Sequence, residues 1–221
     1  MTARVLKALS PIMMAARRTE QIARDVSKRQ AELATTAGLR QALRQQSCQE
    51  AAHAAGFDAA LQYLGESSAP LCMLDALEDL AARLHADLDR GDLPSSMIGL
   101  QYVLEGLGSI ALEPPPGDLA RLGDKFVPLR KLVLHQEMGH RRLGEVWVPR
   151  FAAALSTYER SRLSAAGRDY AALANAVVEA GLPLLEGLDT DRDHYLRASR
   201  AFVTSLYDHP LVSPPVEEFA S

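Results

Sequence analysis

Only two cysteines, Cys48 and Cys72, occur among the 221 residues. That excludes a disulfide framework, and no Cys-x-x-Cys pair is present to hold zinc or a rubredoxin-type iron. A reducing cytosol is the compartment that fits. No run of about eighteen apolar residues exists, so no membrane span is expected. Any excess of base is missing as well: the formal net charge is −4, which gives no general pull toward nucleic acid. Strand signals are also weak, with few β-branched runs and no Asn-Gly hairpin turns.

What the chain does have is helix-forming sequence almost throughout, rich in Ala, Leu, Arg, Glu and Gln. Its length suits one large helical domain with a real core and exceeds the needs of a bare four-helix bundle. The first eighteen residues carry Arg4, Lys7, Arg17 and Arg18 without an acid, a pattern also found in transit and signal sequences. The apolar part, Ala8 to Ala16, is short and interrupted by Ser10 and Pro11. That favours the start of a first helix, with Ser10 as N-cap and Pro11 at the first helical position.

Helices are expected over Pro11–Thr35, Gly38–Leu64, Leu71–Leu88, Ser95–Leu112 and Asp118–Val148, the last bent by Gly123 and Pro128 and ended by Pro149. Two more are expected over Phe151–Ala180 and Arg192–Tyr207. Asp89-Arg90-Gly91-Asp92 and Pro114-Pro115-Pro116-Gly117 are the clearest breaks.

Two signatures of one form stand out on these helices: Glu50-x-x-His53 and Glu137-x-x-His140. Residues three apart share a helix face, so each pair can direct two ligands inward together. With 14 Glu and 6 His in the chain, about 0.4 such matches arise by chance, so position has to decide. Both pairs fall on apolar stripes: Leu43, Ser47, Glu50, His53, Phe57, Leu61 and Leu64 in one helix, and Val133, Glu137, His140, Gly144 and Trp147 in the other. A lone glutamate precedes each pair. Glu20 sits among Ile12, Ala16, Ala23 and Val26, and Glu105 is the single acid between Met97 and Leu112.

Glu105 is the most telling. A helix apolar all round belongs in the interior, and a buried carboxylate costs several kcal/mol unless a cation or donors compensate. A metal ion supplies that compensation. Gly99, Gly106 and Gly108 flank it and point to close helix approach, a local bulge, or open space for a ligand. Thirty residues separate Glu20 from Glu50, and thirty-two separate Glu105 from Glu137. Each interval equals one helix, a short loop and a return to the same height.

The two-half Glu…Glu-x-x-His pattern, over residues 10–150, resembles the ferritin-like di-iron carboxylate superfamily. The resemblance implies an all-α fold, a ferritin-like four-helix bundle with additional C-terminal helices, forming a single helical domain over 1–221. Its metal-binding bundle would occupy 10–150, and helices over 151–221 would pack on it. It implies two iron ions, with manganese as the alternative. Glu20 and Glu105 are then terminal carboxylates, Glu50 and Glu137 bridging ones, and His53 and His140 ligate one ion each. Storage ferritins usually have one histidine in the centre, and ribonucleotide reductase small subunits carry a radical tyrosine where this chain has Phe57. The motif spacing is similar to that of the aldehyde-deformylating oxygenases.

The function implied is an O2-activating oxygenase or oxidase acting on a small organic substrate, within the biosynthesis of a specialised metabolite. Its partners would be that substrate, O2 and an external electron donor, with the C-terminal helices covering a channel or forming a homodimer contact. The alternatives are a ferroxidase and a metal-free helical interaction module. Gln49, Gln136, Gln101 and Tyr102 are candidates for fixing the imidazoles, although a glutamine on a helix surface ordinarily has no such role. His85, His135, His194 and His209 read as structural or solvated. Trp147 and Phe126 line a pocket or merely fill the core.

Overall fold

The computed structural model describes residues 3–64, 71–113, 123–186 and 189–209, with the side chains of 3–9, 71, 123–126 and 189–191 left aside. Seven helices run through the described residues. They are α1 (Ala3–Leu33), α2 (Ala37–Leu64), α3 (Leu71–Asp89), α4, α5 (Gly123–Ala154), α6 (Thr157–Gly181) and α7 (Asp189–Asp208), with a short 3₁₀ turn, Leu182–Leu185, before α7. α4 is a composite: an α turn over Leu93–Met97, a π segment over Ile98–Leu104, and an α segment over Glu105–Leu112. No described helix is long and apolar enough to cross a membrane.

α1 and α2 form an antiparallel hairpin, and α4 and α5 form a second pair against it. α3 lies along α1, α6 packs on α3 and α4, and α7 packs on α6 and the end of α4. The apolar stripes meet in one core that includes Val26, Leu43, Leu80, Leu84, Met97, Leu100, Val148 and Tyr170. Ion pairs open at least in part to solvent, such as Arg17–Asp58 at 2.9 Å and Arg200–Glu179 at 3.0 Å, link neighbouring helices, and each adds at most about 1 kcal/mol.

Helix ends differ from expectation at three places, each for a local reason. α1 begins by Ala3 and runs through Pro11, so Ser10, only 2% exposed, lies within the helix and is not its cap. α5 runs through Pro149 to Ala154. Pro149 is on the exposed face, where water can take the carbonyl that proline leaves without a donor. The break falls instead at Ser156, whose hydroxyl accepts from the Glu159 backbone while Glu159 reaches back to the Ser156 amide. This Ser-x-x-Glu capping box is a strong helix start. α4 opens with Asp92 accepting from the Ser95 amide, just after Gly91 takes a left-handed φ of 72°.

Candidate metal centre

Glu20 comes from α1, Glu50 and His53 from α2, Glu105 from α4, and Glu137 and His140 from α5. All six are buried, between 0% and 6% exposed, and all six converge at one level of the bundle. The π segment explains how Glu105 arrives there. Its backbone N–H bonds the Leu100 carbonyl five residues back, and the wider turn alters where the following side chains face. The three glycines answer to different demands. A Cβ at Gly99 would overlap the Tyr170 ring and one at Gly106 the Phe202 ring, whereas Gly108 faces open space 3.8 Å from Glu137 Oε2.

The ligand-type atoms form two overlapping sets. Glu20, Glu50, His53 and Glu137 make one, and Glu50, Glu105, Glu137 and His140 the other, with the atoms of each set within 4.8 Å of one another. Glu50 and Glu137 belong to both. His53 Nδ1 lies 3.0 Å from Glu50 Oε2, 3.1 Å from Glu20 Oε2 and 3.4 Å from Glu137 Oε1. His140 Nδ1 lies 2.9 Å from Glu50 Oε1 and 3.6 Å from Glu105 Oε2. Yet Glu50 Oε2, Glu137 Oε1 and His140 Nδ1 have no aligned hydrogen-bond partner. Buried polar atoms that crowd together without bonding one another are aimed at a shared point, as ligands of a cation are.

The far nitrogens of the imidazoles are tied down. Gln136 Oε1 accepts from His53 Nε2 at 2.5 Å, and Gln49 Oε1 accepts from His140 Nε2 at 2.8 Å. The repeated Gln-Glu-x-x-His motif thus works crosswise, each helix's glutamine holding the other helix's histidine. Both glutamines are half-buried, which corrects the default reading of them as idle surface residues. With Nε2 donating, a neutral ring turns its Nδ1 lone pair to the centre.

Sequence reasoning passed over Gln46, one turn before Glu50 on the same stripe. Its Nε2 donates to Glu105 Oε1 at 2.6 Å and to Glu50 Oε1 at 3.2 Å. Behind it, Gln101 Nε2 donates to Gln46 Oε1 at 3.0 Å and to Gln30 Oε1 at 2.8 Å, and Gln30 Nε2 donates to Ser96 Oγ at 3.0 Å. These amides are at most 1% exposed, so their mutual bonds remove a large burial cost and brace the carboxylates. Tyr102 sits elsewhere: its ring meets His209, with centroids 5.0 Å apart. Trp147 packs against the core beside Phe151, and the Phe126 side chain lies outside the described residues.

Charge reinforces the geometry. Burial pushes the Glu20 carboxyl well up. Burial also opposes ionisation of Glu50, but His140 and His53 outweigh it and hold that carboxyl at about 2. For His53, burial is overcome by Glu137, Glu20 and Glu50, which raise it to about 12; for His140, Glu137 and Glu50 raise it to about 9. In the metal-free protein the two imidazoliums therefore stand where cations would offset the buried carboxylate charge.

Beside the cluster opens an apolar cavity of about 280 Å³. Glu20, Phe57 and Gly108 line its inner end, and α6, the 3₁₀ turn and α7 cover it through Val177, Leu185 and Tyr195.

No family model matches the chain, and no curated protein matches it by sequence. Among solved structures, it is similar to "Protein 19 with aldehyde deformylating oxidase activity from Synechococcus", with a TM-score of 0.73 and 19% identity, over 94% of this chain and 91% of that one. The fold is ferritin-like. At this identity the match fixes architecture alone.

Proposed function

We propose that this protein is a non-haem di-iron oxidase or oxygenase acting on an organic substrate. Glu20 and His53 would serve one iron, Glu105 and His140 the other, with Glu50 and Glu137 bridging. One observation carries the reading: two overlapping ligand sets share two carboxylates, and three of their buried atoms lack any aligned partner. Four carboxylates with two neutral imidazoles match the charge of two divalent ions, and mixed oxygen and nitrogen donors suit iron or manganese. When bound, such a pair supplies O2 activation and two-electron oxidation, with an external donor restoring the reduced state.

The chain's own part is positioning and exclusion. Gln136 and Gln49 set the tautomer and angle of the rings. Gln46 donates to Glu105 and Glu50 and fixes the orientation of both carboxylates. Phe57, Leu104, Leu107 and Val177 keep water from the inner cavity, where a substrate would meet the site in a dry setting. The cavity favours an organic substrate over Fe(II) itself, the substrate of a ferroxidase.

Anaerobic loading with Fe(II) followed by elemental analysis tests the centre. Two irons per chain are expected, and Glu105→Ala should fall below one while far-UV circular dichroism holds. Fewer than about one metal in the wild type would return the chain to a metal-free helical module. O2 uptake stimulated by Fe(II) and by no organic compound would favour the ferroxidase.

A further inference from the structure

The cavity has a direction. Counting from the ligand level, which Glu20 and Leu104 mark, the remaining lining residues of the core bundle lie to one side on each helix: Ile12 through Thr19 before Glu20, Phe57 after His53, Leu107 through Leu112 after Glu105, and Val127 through Arg130 before Glu137. Two turns separate Arg130 from Glu137 on the same stripe of α5, a rise of about 10 Å. One end of the cavity therefore touches the cluster, and the other lies about 10 Å along the bundle axis.

The lining is overwhelmingly aliphatic, and among the described residues its charged members are two. Glu20 is at the inner end. Arg130 is at the outer end, half-buried, and makes no hydrogen bond or ion pair among the described residues. A guanidinium partly withdrawn from water beside an apolar wall, with no acid among the described residues to meet it, is a site for an anion. Carboxylate is the group a planar fork receives in two parallel hydrogen bonds.

We infer that the cavity takes an aliphatic carboxylate, its head on Arg130 and the far end of its chain at the cluster. The separation of about 10 Å between the two ends suits an extended chain of about eight carbons. The carbon offered to the centre is then remote from the carboxylate. This deepens the oxygenase reading by naming its substrate class, but the binding it asserts can be measured without turnover.

The experiment is calorimetric titration of the full chain, metal-free and iron-loaded, with octanoate and with 1-octanol. Octanoate should bind about tenfold tighter or more, as a charged hydrogen-bonded pair implies. Arg130→Met should bring octanoate down to the octanol level and leave octanol unchanged, and Arg130→Lys should recover part of the difference. Gly108→Leu, which fills the inner end, should abolish binding of both. Equal affinities in the wild type, a preference that survives Arg130→Met, or binding untouched by Gly108→Leu would each overturn the assignment. So would a preference seen only after iron loading, because it would put the carboxylate on the metals. Iron content separates the two proposals: a chain without metal that still prefers octanoate sinks only the di-iron reading, and a loaded chain without the preference sinks only this one.

Discussion

Among the described residues two sites bury acid, and they are finished in opposite ways. Asp87, at the end of α3, is 1% exposed. Arg90 and Arg83 meet its Oδ1, the latter at 3.3 Å, and the Tyr170 hydroxyl donates to its Oδ2 at 2.7 Å. Both oxygens are engaged by the protein's own groups. The glutamate cluster between α1, α2, α4 and α5 buries four carboxylates and leaves ligand atoms without aligned partners. The first arrangement is complete as folded and ties α3 to α6; the second is complete only with something added. A buried acid marks function when its remaining lone pairs have nowhere to go within the chain.

The largest effects expected separate metal content from stability. Asp87→Ala strands Tyr170 and two arginines, and should cost about 3–5 kcal/mol in denaturant unfolding while the folded fraction keeps two metals per chain. Glu137→Gln removes a charge whose Oε1 has no bonded partner. It should lower metal-free stability by withdrawing a partner from both imidazoliums, and drop metal content below one per chain in the protein that remains folded. If Glu137→Gln stays fully loaded, or if Asp87→Ala empties the centre, the distinction between the two sites collapses. Next in size is the crossed clasp: Gln136→Leu leaves His53 Nε2 without an acceptor and should weaken metal binding about 10–100-fold in a chelator competition. Unchanged affinity would show that packing alone orients the ring.

The cluster was legible because ionisable residues on an apolar stripe are costly, and two Glu-x-x-His pairs with matched upstream glutamates repeat that cost in register. The order of helices followed from Gly and Pro punctuation and from apolar periodicity. What stayed hidden depended on tertiary surroundings. Gln46 is uncharged, so nothing in the stripe distinguishes it from a solvated amide until Glu105 and Gln101 are placed around it. Pro149 looks like a stop, yet an exposed turn tolerates it, and the stronger signal was Ser156-x-x-Glu159. The glycines beside Glu105 signalled something unusual without saying which of them made room for a ring and which opened a cavity.

That last contrast can be sharpened on one helix. Gly106→Ala drives a methyl into Phe202 and should cost about 1–3 kcal/mol. Gly108→Ala meets nothing nearer than 3.8 Å and should stabilise by about 0.5–1 kcal/mol through a stiffer unfolded chain. Equal melting shifts for the two would mean that the Phe202 ring of α7 yields to a methyl on α4 without cost.

The smallest effect per step is on pH, and it bears on the open site alone. In the metal-free protein His140 is raised from 6.5 to about 9, so between those values the folded chain holds a proton that the unfolded chain has released. Stability from its contacts with Glu137 and Glu50 is therefore complete below about pH 6.5. It is lost as pH rises through 9, at up to about 1.4 kcal/mol per unit for one proton. Chemical denaturation of the wild type from pH 6 to 10 should show that fall, and His140→Gln should show a shallower one. Asp87→Ala, which leaves the imidazoles alone, should reproduce the wild-type slope from a lower starting stability. A steeper fall for Asp87→Ala than for the wild type would place the titrating group at the closed site and break the comparison where it began.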